Sequence, residues 1–165
     1  MDLVLSPYAE SDLPDFAPVF RAIVAAGETY AYPESLSDDD IQRLWWEREP
    51  GRTVVARGRD GRFLGSAKMG PNRPGRGAHI GTASFMVAPD ARGSGVGRRL
   101  LDEVIDWHRR AGFAGIQFNA VVETNVAAVR LWQSAGFTII GTVPGAFDSA
   151  THGPVGLHVM FLPLG

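Results

Sequence analysis

Apolar and polar positions along the chain fall into short blocks whose period moves from two to about three and a half and back again. "DLVLSP" alternates as an opening strand. Over "SDLPDFAPVFRAIVAAG" the residues Phe16, Val19, Phe20, Ile23 and Val24 recur at helical spacing, which predicts a helix with Ser11 as N-cap and Gly27 as stop. "LSDDDIQRLWWERE" repeats that grammar: Ser37 caps, acids fill the first turn, and Ile41, Leu44 and Trp45 share one face. Three strand-like runs follow, "RTVVARG", "RFLGSAKMG" and "HIGTASFMVA", separated by turns rich in Gly, Asp and Pro, so an antiparallel meander is predicted.

From Gly95 the period lengthens. Leu100, Leu101, Val104, Ile105 and His108 take one helical face, Arg98, Arg99, Asp102, Asp106, Arg109 and Arg110 the other, and Gly112 ends the run. "GIQFNAVV" reads as a strand, "NVAAVRLWQSAGF" as a helix capped by Asn125 and stopped by Gly136, and "TIIGTV" and "VGLHVMFL" as closing strands. The segment "PGAFDSATHGP" between them reads as a loop. This order predicts an α/β (α+β) fold: a mixed, mostly antiparallel central sheet of about seven strands with helices on both faces.

Composition narrows the function. A length of 165 residues, 45% hydrophobic and 21% charged, suits one domain over residues 1–165 with a real core. A net charge of −2 with scattered arginines gives no electrostatic case for nucleic acid. With no Cys, a disulfide framework, a thiolate zinc site and a cysteine nucleophile are excluded. His79, His108, His152 and His158 form no i,i+4 pair or acidic cluster, so no metal is expected. "MDLVLSPYAESDLPDF" lacks a basic stretch before an apolar one, and no apolar run is long enough to span a bilayer, so a cytoplasmic location without membrane attachment is expected.

The densest chemical signal is "DARGSGVGRRLLDEVIDWHRRAGF", three glycines in five positions running straight into a helix. Glycine lets backbone N–H groups converge where the helix presents unpaired donors and the positive end of its dipole, a natural seat for phosphate. The spacing fails G-x-G-x-x-G because Arg98 stands at the last position, and no G-x-x-x-x-G-K-[ST] is present. What remains, Arg92-x-x-Gly95-x-Gly97 after the strand-like "ASFMVAP", resembles the acyl-CoA pyrophosphate loop of the Gcn5-related N-acetyltransferases (GNAT family). A second signature is in register: Asn125, Ala128, Leu131 and Gly136-Phe137 match the family's last helix. The element order coincides with the GNAT fold over nearly the whole chain, and residues 1–165 are expected to be a single N-acetyltransferase domain.

The resemblance implies transfer of acetyl from acetyl-CoA directly to an amine, without metal or covalent intermediate. It assigns the pyrophosphate to the backbone of Arg92, Gly93, Ser94, Gly95, Val96, Gly97 and Arg98. The pantetheine falls to the edge of "SFMVA" through Phe85 and Val87, with the Val87 N–H facing the thioester oxygen, and Asn125 contacts the same cofactor. Trp132 stands where many relatives carry a tyrosine that protonates the leaving thiolate, a task indole cannot perform. Glu28 and Glu123 are the acids nearest the expected acceptor pocket, each a general-base candidate, directly or through a water, although a solvated surface carboxylate is the commoner reading of such a residue. Asn119, polar within an apolar strand, is the third catalytic candidate, able to orient an amine or a carboxylate. The Asn119–Asn125 spacing resembles the azetidine-carboxylate and imino-acid branch, although Thr82 falls where those relatives often place Asn. "GETYAYPESLSDDDIQRLWW" resembles the acceptor loop of phosphinothricin-type enzymes, putting Glu28, Thr29, Tyr30 and Tyr32 on the substrate; aromatic packing is the other reading. The expected acceptor is a small amine, namely an amino acid, imino acid or amino-acid-like antibiotic. A protein N-terminus or lysine, or a non-catalytic acyl-CoA sensor, are the alternatives, and a homodimer is a further implication of the resemblance.

Overall fold

Val54 and Val55, adjacent in one strand, are both fully buried, because the sheet is covered on both sides. Val54 joins the helices Val96–Arg110 (α3) and Val126–Ser134 (α4) on one face. Val55 joins Leu13–Ala25 (α1) and Asp38–Trp45 (α2) on the other. The computed structural model describes residues 3–165. Its sheet comprises β1 (Leu3–Pro7), β2 (Arg52–Gly58), β3 (Phe63–Pro71), β4 (Ile80–Val87), β5 (Gly115–Val122), β6 (Thr138–Ser149) and β7 (Gly153–Pro163), in the order β1-β2-β3-β4-β5-β7-β6. Every neighbouring pair is antiparallel except β4 and β5. The expected order of elements and the mixed, mostly antiparallel seven-stranded sheet are what the chain forms.

Two local expectations are corrected. Ser11 does not cap α1: residues 10–12 make a 3-10 turn, and the Asp12 carboxylate accepts the Ala9 N–H at 2.8 Å while binding Arg57 at 2.7 Å. A carboxylate with a distant guanidinium partner won over the hydroxyl. The "PGAFDSATHGP" segment is mostly strand, since β6 continues to Ser149 through an irregularity between Val143 and Phe147 that absorbs Pro144 and Gly145. Ser37 does cap α2, in a reciprocal box with Asp40.

His108 lies at the heart of the α3 face, fully buried, its Nδ1 2.8 Å from the Val104 carbonyl and its Nε2 without a hydrogen-bond partner. Burial pulls its pKa below the ordinary histidine value, opposed by the Val104 carbonyl. The unfolded chain therefore binds a proton that the folded chain refuses. The stabilisation is complete above the unfolded pKa, near 6.5, and is lost as pH falls toward the lower folded value. Urea denaturation at stepped pH is expected to show stability declining by up to about 1 kcal/mol per unit below pH ~6.5, and His108→Leu should flatten that slope.

Candidate active site

The parallel strands β4 and β5 pair only through Ile80–Gly115 and Gly81–Ile116, then diverge. The wedge between them opens into a cleft of about 990 Å3 walled by Thr82 to Val87, by Phe118 to Val122, and by both ends of the glycine loop. Ala88 N–H donates to Leu64 C=O on β3, and strand donors alternate in direction, so Phe85 and Val87 turn their N–H groups into the wedge. The pleat thus turns the polar edge of β4 into the cleft wall, where the Tyr30 hydroxyl accepts the Phe85 N–H at 3.0 Å and donates to the Phe85 C=O at 2.7 Å.

At the mouth, Gly93 and Gly95 adopt φ of 75° and 89°, and a Cβ on either would point into open space. The first α-helical bond of α3 runs from Arg99 N–H to Gly95 C=O, leaving the donors of Val96, Gly97 and Arg98 unpaired at the cleft. Gly93, Gly95, Gly97, Arg92 and Arg98 line the cleft. Val96 contributes only backbone, its side chain being buried in the core. Ser94 turns away: its hydroxyl donates to Ala91 C=O at 2.5 Å, and the residue lines a neighbouring recess with Arg98, Arg99 and Asp102. Arg98 also donates to Asp102 at 2.9 Å. Asn125 caps α4, weakly accepting the Ala128 N–H at 3.4 Å, and lines the cleft beside the loop. An open cradle of donors with unpartnered hydroxyls of Thr29 and Thr124 farther in fits an extended, phosphorylated acyl carrier.

The inner end is built by the α1–α2 loop. Glu28 accepts from the Ser149 hydroxyl at 2.6 Å, the Thr151 hydroxyl at 2.6 Å and the Thr151 N–H at 2.9 Å, and Ala150 N–H donates to Gly27 C=O at 3.0 Å. This clasp joins the loop to the β6–β7 turn at that end of the cleft. The Ser149 hydroxyl, then the Thr151 contacts, hold the Glu28 carboxyl below the usual range. Such a carboxylate is a weak proton acceptor, and its hydrogen bonds to Ser149 and Thr151 tie it into the wall. Glu123 does not reach the cleft: its carboxylate accepts Gly156 N–H while its own N–H donates to Gly156 C=O at 3.0 Å, clamping β5 to β7.

Asn119 does line the cleft. An irregularity in β5 between Phe118 and Val121 re-aims it to the exposed wall, not the core. Its Nδ2 donates to Asn72 Oδ1 at 2.7 Å and its Oδ1 accepts from Gln117 at 2.9 Å, leaving one N–H and one lone pair for a ligand. Thr82 and Thr29 share this wall. Tyr32 stacks between Tyr30, at 5.3 Å, and Phe20, at 5.5 Å, and burial, then Glu47, raises its pKa. Trp132 packs on Phe85 at 4.6 Å and Phe118 at 5.1 Å, supporting the wedge as an aromatic buttress. Sequence reading missed Asn72, Thr124 and His152; the last two line the cleft, and all three arrive from loops whose placement is set by tertiary contacts.

A wedge-split sheet with a glycine-rich donor cradle at its mouth defines an acyl-carrier-dependent transferase. Residues 18–137 match the acetyltransferase (GNAT) family model. The chain belongs to that family. It is 39% identical over 84 residues to N-acetyltransferase aca1 of Schizosaccharomyces pombe, covering 51% of this chain and 40% of that protein, less than half its length. Over 140 residues it is 31% identical to the L-methionine sulfoximine/L-methionine sulfone acetyltransferase of Pseudomonas aeruginosa, covering 81% of this chain and 79% of that one. The GCN5-related N-acetyltransferase from Kribbella flavida superposes with a TM-score of 0.96 at 57% identity over 98% of both chains. Among the described residues no helix is long and apolar enough to cross a membrane, and no cluster of metal-ligating side chains occurs.

Proposed function

We propose that this enzyme transfers acetyl from acetyl-CoA directly to the amine of a small amino acid, imino acid or amino-acid-like antibiotic. The observation that carries the acceptor class is the clasp of Glu28 with Ser149 and Thr151, which ties the α1–α2 loop to the β6–β7 turn across the inner end of the cleft. An open groove, which a peptide substrate needs, is not what such a tie favours. The relatives acting on methionine sulfoximine and methionine sulfone support the same class.

In this reading the N–H groups of Val96, Gly97 and Arg98 hold the pyrophosphate, and the edge of β4 pairs with the pantetheine arm through Val87. Asn125 lies beside them. Asn119, steadied by Asn72 and Gln117, meets the carboxylate of the acceptor, with Thr82 and Thr29 beside it. The amine, held against the thioester carbon, attacks without a covalent enzyme intermediate. Trp132 gives the thiolate no proton, so water serves that step. His152 supplies the one imidazole among the described residues of the wall. A cytoplasmic homodimer belongs to the same reading, supported by the exposed Ile139, Ile140 and Val143 on the outer strand β6.

Thiol release from acetyl-CoA against a panel of amino acids, imino acids, polyamines, phosphinothricin analogues and short peptides tests the reading. Turnover confined to peptides would overturn the acceptor class, and binding of acetyl-CoA without turnover would favour a sensor. Asn119→Ala is expected to lower turnover about 10- to 100-fold, the worth of a hydrogen bond to a charged group, with acetyl-CoA affinity kept. Equal activity would reduce Asn119 to a packing residue.

A further inference from the structure

Tyr30 has no part in the scheme above, yet its hydroxyl sits on the cleft's polar edge. It accepts the Phe85 N–H at 3.0 Å and donates to the Phe85 C=O at 2.7 Å, serving a residue that β5 abandons when the strands diverge. Water in an open cleft could satisfy that backbone equally well. What water could not supply is fixity. The Tyr30 ring stacks on Tyr32 at an interplanar angle of 9° and meets Trp45 edge-on at 6.4 Å, while Glu28, two residues earlier, is clasped to the β6–β7 turn. Only the O–H rotor is free to turn.

The direction of the pantetheine arm fixes what this donor faces. The arm enters from the glycine loop, next to Val87, and runs inward along β4. Phe85 is the next wedge-facing rung, about 6.6 Å deeper at strand spacing. An amide of the arm pairs at Val87, and the thioester at its tip reaches Phe85, one rung inward of the Val87 position expected from sequence.

We propose that the Tyr30 O–H, its oxygen held in place by the Phe85 N–H, donates to the thioester oxygen and stabilises the negative charge that forms on it. This rests on the acetyltransferase reading and deepens it. When the acyl oxygen arrives, the hydroxyl turns from the Phe85 carbonyl to the new acceptor. The amine lone pair forms the C–N bond, the carbonyl π pair moves onto the oxygen facing the Tyr30 hydroxyl, and its return expels the thiolate. The proton lost from nitrogen passes to water, and water returns one to sulfur, so amine and thioester become amide and thiol. Burial pushes the Tyr30 phenol well above its ordinary pKa, with Tyr32 adding to the rise, so it stays a donor and does not ionise. It is therefore no replacement for the missing acid at Trp132.

The test is the infrared carbonyl band of acetyl-CoA labelled with carbon-13 at the acyl carbon, bound to wild type and to Tyr30→Phe. In wild type the band is expected below its position in free acetyl-CoA, and the variant should lose at least half of that displacement. Affinity for CoA, which lacks the acyl oxygen, should stay within threefold, certifying an intact cleft. With an acceptor from the panel, kcat should fall about 100-fold, the usual loss for one oxyanion donor. Incorporation of 3-fluorotyrosine at position 30, a stronger donor of nearly the same shape, should displace the band further and serves if the Phe variant folds poorly. Equal displacement in wild type and Tyr30→Phe, or none in wild type, overturns the role of Tyr30. A wild type that fails to bind acetyl-CoA overturns the acetyltransferase reading instead.

Discussion

Gly95→Trp is expected to raise the Kd for acetyl-CoA by well over tenfold, read by isothermal titration on a folded variant. Gly95 stands at φ 89° as the residue before α3, and nothing lies within 4 Å of the position its Cβ would take. That open space is where the unpaired donors of Val96, Gly97 and Arg98 converge, so an indole placed there displaces the group they serve. Two effects must be separated. The left-handed backbone costs any L-residue about 1–2 kcal/mol of stability, whatever its size. Gly95→Ala carries that strain with only a methyl group of bulk. If the loop is the phosphate seat, the Trp variant loses more than 1.4 kcal/mol of binding, the equivalent of tenfold, beyond the Ala variant. A folded Gly95→Trp protein that binds as wild type does would remove the phosphate function from the loop.

The glycine loop and both flanking helices were legible in the sequence because their causes are local. Glycine spacing, the Ser37 box, the apolar stripe from Leu100 to His108 and the Asn125 cap each act within a few residues. Ser11 was misread for the complementary reason: Asp12 is chosen by Arg57, 45 residues away. The late segment was read as a loop because Pro144 and Gly145 weaken strand character, yet an edge strand with an irregularity tolerates both. The site itself divides in the same way. The donor cradle is a single stretch of chain, whereas the acceptor wall is assembled from Tyr30, Asn72, Asn119 and His152 on different elements. Glu28 and Glu123 show the limit most clearly. Both carboxylates were placed near the site by sequence position, and both turned out to be ties, one to Ser149 and Thr151, the other to Gly156.

Gly81→Ala is expected to destabilise the protein by about 3 kcal/mol, the upper range for overpacking a filled core, lowering Tm by roughly 6–12 °C for a chain of this size. A Cβ on Gly81 would stand 2.2 Å from Nε2 and Cδ2 of His108, far inside any real contact. The ring cannot step aside cheaply, since it is fully buried and packed against Trp107 at 4.8 Å and Phe113 at 4.8 Å. Gly81 is also half of the last β4–β5 rung before the strands part, so pushing it away from α3 moves the root of the wedge. Loss of stability and loss of cofactor affinity should therefore appear together. His108→Ala introduced into the Gly81→Ala protein removes the obstructing ring and should raise Tm above that of Gly81→Ala alone, although the same change in wild type lowers it by opening a cavity. That reversal of sign is the signature of a direct clash. If Gly81→Ala melts with wild type, the imidazole moves freely, and the glycine owes its place to nothing in the packing against α3.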